Sequence, residues 1–152
     1  SFNSKIYKIS YESAELAKIS INMLLISNLS SANQNNKYFN IDGDDLRDLF
    51  QNKDYSRKGR EANIRLGMSI AAYLINKNCL PIISLVSPYR FLREEFKSKY
   101  NVLEVYLHTE EIRGRENYFA KDYEPPEFNF LEMDTTHKSE KESLDEILNV
   151  YR

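Results

Sequence analysis

Three carboxylates, Asp42, Asp44 and Asp45, crowd the run IDGDDLR, where the extended stretch YFNID meets polar sequence. Like charges this close repel, so the cluster needs a counter-charge, a metal ion or plain solvent. Polar loops at strand ends ordinarily need only solvent. A second chemically suggestive run is YSRKGREANIR, in which Arg60 and Asn63 lie three apart at the start of a helix and share a face, with Arg65 about one turn away. A guanidinium fork beside an amide suits a phosphate or sulfate, and it is also ordinary helix surface. In SLVSPYR, Ser87 offers a hydroxyl, Pro88 blocks further ladder pairing, and Tyr89 and Arg90 open a helix. Taken alone, this is a turn with proline at the first helical position.

The elements that must position these runs alternate between two periods. KIYKIS (Lys5 to Ser10), YFNID, LPIISLV, VLEVYLH and NFLEMD read as strands. LPIISLV is a continuous branched apolar run, as in a strand buried on both faces. Between them, Leu16, Ile19, Met23 and Leu24 recur at helical spacing, and SSANQNNK is a polar connector. A long helix follows IDGDD, with Ile64, Met68, Ala71, Ala72 and Ile75 on one face. FLREEFKSKY reads as a charged helix and EEIRGREN as a short one. Leu144, Ile147, Leu148 and Tyr151 close the chain as an amphipathic helix, introduced by the capping box Ser139 to Glu142. Strands separated by helices predict an α/β fold, a mostly parallel central sheet with helices on both faces. In such sheets ligands sit beyond the carboxyl ends of the strands, where IDGDDLR, SLVSPYR and YLHTEEIRGRE all fall.

Composition narrows the partners. At 152 residues and 41% hydrophobic, the chain can bury one core of ordinary size. A net charge of −2 with both signs dispersed implies no general affinity for nucleic acid polymers or anionic membranes. No apolar run approaches the roughly 20 residues of a membrane span, and no signal peptide opens the chain. The single cysteine, Cys79, excludes an internal disulfide, fits a reducing compartment and reads as a small buried residue at a strand entrance. The expectation is therefore a cytoplasmic protein acting on a small molecule. The first residue, Ser1, is what a processed or incomplete chain would show.

In their order and spacing, IDGDDLR, YSRKGREANIR and SLVSPYR resemble the adenylylsulfate kinase (APS kinase) family, which reads approximately LDGDNIR, GFSxxDRxENIRR and SxISPYRxxR. EVYLHT, YEPP and MDTTHKSEKESLDEIL extend the resemblance from about Tyr38 to the C-terminus. It implies a three-layer P-loop kinase fold, with residues 1–152 forming a single domain. The implied reaction passes the γ-phosphoryl of ATP, with Mg²⁺, to the 3′-hydroxyl of adenylylsulfate, giving 3′-phosphoadenylylsulfate. A ribose hydroxyl is a poor nucleophile at neutral pH, so a carboxylate that orients it and takes its proton helps. The resemblance gives that role to Asp42, with Asp44 in support, and leaves Asp45, in place of an Asn, solvated. Arg47, Arg60 and Asn63 match residues that hold the phosphosulfate side, and Tyr55 stands at the aromatic that stacks on the substrate base. Ser87, Tyr89 and Arg90 match the SPYR turn beside the substrate, and Arg115 matches an arginine near the ATP adenine. A homodimer is compatible with this reading.

Two departures stand against it. The family's G-x-x-G-x-G-K-[ST] loop should join the first strand to the first helix, but that connection reads YKISYESAELAK. All four glycines lie elsewhere, at Gly43, Gly59, Gly67 and Gly114. The basic lid is also short, since RGRENYFAKD runs directly into YEPP, although Phe119 or Tyr123 would still be able to cap a base. Such a loop supplies the backbone N–H groups and lysine that balance the donor's phosphates. Missing residues are therefore expected between about Ile9 and Ala14, and again between about Arg115 and Asp122, with a continuous, divergent YESAEL turn as the alternative. Two further readings remain open. One is a related kinase of another nucleotide, such as a cytidine diphosphate derivative in surface-polysaccharide synthesis. The other is a non-catalytic nucleotide-binding protein.

Overall fold

The computed structural model describes residues 6–10, 37–110, 120 and 122–151. The expected interruptions fall mainly on residues outside that set, as do the helix expected over Leu16 to Leu24, the polar connector and EEIRGREN. The described elements are β1 (Ile6–Ser10), β2 (Lys37–Asp42), α1 (Gly43–Leu49), α2 (Arg57–Asn76), β3 (Cys79–Ser84), α3 (Arg90–Lys97), β4 (Val102–His108), β5 (Phe130–Asp134) and α4 (Glu140–Tyr151).

The strands form one five-stranded sheet in the order β2-β3-β1-β4-β5, every neighbouring pair parallel. Chain order reverses across β1, the place where a parallel sheet opens a crevice at its carboxyl edge. Register brings Asp42 opposite Ser84, Ser84 opposite Ile9, and His108 opposite Asp134, so the polar strand ends share that edge.

LPIISLV is buried on both sides, as its composition predicts. Ile82 packs in a cluster with Val105, Met133, Leu144 and Ile147, on the α4 side. Its neighbour Ile83 packs with Leu46, Ile64, Met68, Leu92 and Phe96, on the side of α1, α2 and α3. Both isoleucines are 0% exposed, so each face of the strand is sealed by helices. Ile64, Met68 and Ala71 form the buried face of α2, with Ile75 partly buried against the same cluster. The strand itself ends at Ser84, short of the expected Val86. At the C-terminus the capping box closes reciprocally: the Ser139 N–H donates to Glu142 Oε2 at 2.8 Å, and the Glu142 N–H to Ser139 Oγ at 3.3 Å. Among the described residues no helix is long and apolar enough to cross a membrane.

Candidate functional site

IDGDDLR, expected to be a polar loop at a strand end, is instead the start of a helix. Asp42 is the N-cap of α1, its Oδ1 accepting the Asp44 N–H at 2.8 Å, and Asp44 and Asp45 occupy the first turn. Carboxylates there meet the positive end of the helix dipole, which is the local answer to their mutual repulsion. Gly43 allows a close approach here, because a Cβ would lie 2.6 Å from Leu85 Cδ2, a buried side-chain end that would have to shift. Asn63, 5% exposed, donates Nδ2–H to Gly43 O at 3.1 Å and so ties α2 to this turn. Among the described residues, its Oδ1 has no hydrogen-bond partner. A buried amide oxygen left unpaired is costly, and a ligand hydroxyl or amine would relieve that cost.

Between α1 and α2 the chain makes a tight loop whose organiser is Arg47. Its Nη1 donates to Asn52 O at 3.1 Å and to Asp54 O at 2.9 Å, and its guanidinium lies 4.2 Å from the Tyr55 ring centroid. Arg60, in the first turn of α2, donates Nε–H to Tyr55 O at 2.9 Å and sits 5.9 Å from the same ring. Tyr55 is 61% exposed, so the outcome is an aromatic plate flanked by two guanidinium groups and open to solvent. The Ser56 hydroxyl caps α2 by accepting the Gly59 N–H. Hydrogen bonds from Ser56 hold the Asp54 carboxyl below the usual carboxylate range. Gly59 admits the loop, since a Cβ there would lie 2.2 Å from Asp54 O.

The SPYR turn is less open than the sequence suggests. Ser87 has φ 44° and is 1% exposed, as is Tyr89. A non-glycine residue in the left-handed region, directly before proline, is strained, and such strain persists only where surrounding contacts fix it. Here YEPP supplies those contacts: the Glu124 N–H donates to Pro88 O at 2.9 Å, and the Arg90 N–H to Glu124 Oε2 at 2.7 Å. Arg90 also pairs with Glu127. The Arg57 guanidinium lies 4.6 Å from the Tyr89 ring centroid, and burial pushes the Tyr89 phenol up. Among the described residues, Ser87 Oγ has no hydrogen-bond partner.

The predicted residues thus divide. Arg47, Tyr55 and Arg60 come together at the surface, while Asp42 caps α1 at the carboxyl end of β2 and Asn63 is tied to Gly43 beside it. Ser87 and Tyr89 are buried and Arg90 is engaged by the strap, while Arg115 lies outside the described residues. Sequence reasoning missed Arg93 and Glu104, both 0% exposed and paired Nε to Oε1 at 2.7 Å. Two signals were available: Arg93 completes the spacing SPYRxxR, and Glu104 is a lone acid within an apolar strand. Among the described residues no group of three or more metal-ligating side chains comes together.

A parallel sheet in this order, with polar strand ends at its carboxyl edge and helices on both faces, is the architecture of a P-loop kinase. The chain belongs to the adenylylsulphate kinase family, whose model matches residues 13–118. It is similar to the probable adenylyl-sulfate kinase of Pyrococcus abyssi, at 26% identity over 129 residues, covering 71% of this chain and 74% of the relative. In structure it is similar to the Mycobacterium tuberculosis APS kinase CysC in complex with AMPPNP and APS, with a TM-score of 0.79 and 20% identity over 98% of each chain. A gluconokinase from Sinorhizobium meliloti shares the fold less closely, with a TM-score of 0.61 at 14% identity, over 97% of this chain and 91% of that one.

Proposed function

We propose that this chain, acting as a single domain over residues 1–152, phosphorylates the ribose 3′-hydroxyl of adenylylsulfate at the expense of ATP, giving 3′-phosphoadenylylsulfate. The observation that carries the reading is the convergence of Arg47 and Arg60 on an exposed Tyr55, in the loop that joins α1, capped by Asp42, to α2, which carries Asn63. A flat ring takes a purine by stacking, and two guanidinium groups beside it take a phosphosulfate. Asp42 orients the hydroxyl and accepts its proton. The Asp42 carboxylate oxygen bonded to the Asp44 N–H fixes its rotamer, which is how Asp44 supports the site. Asn63 Oδ1, buried and unpaired among the described residues, is the acceptor offered to the substrate. Ser87, Tyr89 and Arg90 shape the wall of the site.

The donor side does not fit the family's pattern equally well. Residues 11–36, which follow β1, contain no glycine and one lysine, Lys18. We therefore derive no geometry for the transfer itself. Mg²⁺ would enter on the phosphates of ATP, neutralising their charge, with Asp42 holding it through water and Arg115 near the adenine. The glycine positions favour a second reading, in which the chain binds the acceptor nucleotide without transferring phosphate.

Transfer of γ-labelled phosphate from ATP to adenylylsulfate, measured alongside calorimetric binding of each nucleotide, separates the two. Turnover supports the kinase, and binding of adenylylsulfate alone supports the second reading. Turnover only with a cytidine diphosphate derivative would replace the acceptor, and no binding of any of these nucleotides would remove both.

A further inference from the structure

One face of α3 carries three cations at helical spacing, Arg90, Arg93 and Lys97, and all three grip the strap that leads into β5. The centre of this grip is buried. Arg93 contacts Glu104 Oε1 with Nε at 2.7 Å, donates Nη1–H to Ser87 O at 2.8 Å, and donates Nη2–H to Glu124 O. Lys97 takes the second oxygen of Glu104 at 2.7 Å and donates to Phe128 O at 2.7 Å. Glu104 is held by the sheet itself, opposite Lys8 on β1 and Phe130 on β5.

Buried ion pairs are weak stabilisers, because desolvating the charges cancels most of their attraction. An apolar pair would fill the same space. It would not join three segments, and a planar fork with donors in fixed directions does. We propose that Arg93 is a positioning residue of the acceptor site, a buried fork that locks the 87–90 turn and the 123–127 strap together on β4.

The contacts run onward to the site. Tyr89, in the locked turn, lies under Arg57 in the first turn of α2, the turn that carries Arg60. Loosening the fork therefore frees the floor on which that turn rests. The consequence for binding rests on the acceptor-site reading above, whereas the clasp itself does not.

The test uses the full chain with Arg93→Lys, which keeps the charge beside Glu104 and loses the fork. A neutral pair, Arg93→Met with Glu104→Gln, guards against simple unfolding. Amide exchange over residues 122–128 should quicken by about tenfold or more in both variants. The dissociation constant for adenylylsulfate should rise about tenfold while that for ATP moves by less than about twofold. The neutral pair should recover the thermal midpoint without recovering strap protection or acceptor affinity. Unchanged strap exchange in Arg93→Lys overturns the proposal, as does full recovery of protection and affinity in the neutral pair. Faster exchange with unchanged acceptor affinity overturns the link to the site. If the unaltered chain binds no adenylylsulfate and the strap still opens in Arg93→Lys, the substrate reading fails and the clasp stands.

Discussion

Gly59→Ala tests whether the Arg47 loop sits on α2 as described. In an open helix this change would be favourable by up to about 1 kcal/mol. Here the new methyl would meet Asp54 O at 2.2 Å and Asp54 Cγ and Cβ at 2.5 and 2.6 Å. The nearest atom is backbone, so the loop must retreat by about 1 Å to restore ordinary contact. That movement strains the Asn52 to Gly59 bond, the Ser56 cap and both carbonyl bonds of Arg47. Overpacking costs about 1–3 kcal/mol and a weakened cap up to about 1, so the net loss after the helix gain is about 1–3 kcal/mol. For a chain of this size each kcal/mol lowers the thermal midpoint by about 2–4 °C, giving a fall of roughly 2–12 °C. Because Arg47 and Tyr55 move with the loop, adenylylsulfate should bind about tenfold more weakly. Calorimetric melting and titration read both numbers. A midpoint equal to or above that of the unaltered chain refutes the packing argument. A lowered midpoint with unchanged acceptor affinity keeps the packing and refutes the role given to Tyr55.

Three further outcomes are expected. Asp42→Asn keeps a good helix cap, so stability should change by only a few tenths of a kcal/mol while turnover collapses and acceptor binding survives; unchanged turnover would leave Asp42 a cap and nothing more. Arg60→Ala removes a charged contact of on the order of 1.5–3 kcal/mol, so the KM for the acceptor should rise about ten- to hundredfold with that for ATP nearly constant. Equal effects on both substrates would contradict the assignment. Hydrogen bonds from Ser56, Thr136 and Ser139 hold Asp54, Asp134 and Glu142 below the ordinary carboxylate range. Depressed folded pKa values add stability that is complete above about pH 5 and is lost as pH falls through about 4 toward the folded values. Urea midpoints should fall accordingly, and Glu142→Gln should flatten the slope; an acid slope unaltered by Glu142→Gln would place the titrating groups elsewhere.

Much of the fold was legible because its determinants are local. LPIISLV announces a strand sealed on both faces, and Ile82 and Ile83 seal it; Ser139 and Glu142 announce a helix start and make it. What failed to show depends on distance. A carboxylate before a glycine has the same local sequence whether it caps a helix or dissolves in water, so the start of α1 at IDGDDLR stayed hidden. Arg93 and Glu104 each leave a faint mark in the sequence, but their pairing exists only when β4 enters the sheet and brings them together. The need for glycine at position 59 exists only because Asp54 folds back against it.

The site residues show the same division in a more consequential form. Motif resemblance selected Arg47, Tyr55, Arg60, Asn63, Ser87, Tyr89 and Arg90 as one set, because a pattern of letters carries no burial. The fold separates them. Arg47 and Arg60 gather around the exposed ring of Tyr55, whereas Ser87 and Tyr89 are 1% exposed and Arg90 is committed to the strap. A ligand can take hold of the first group directly. It feels the second through the positions of a strained turn and of the first turn of α2. Substitutions of Tyr55 and Arg60 should therefore alter acceptor affinity with little change in stability, whereas loss of Arg47, which also ties the loop to its own carbonyls, should alter both. Substitutions in the second should alter both together, since there the same contacts hold the turn and shape the site.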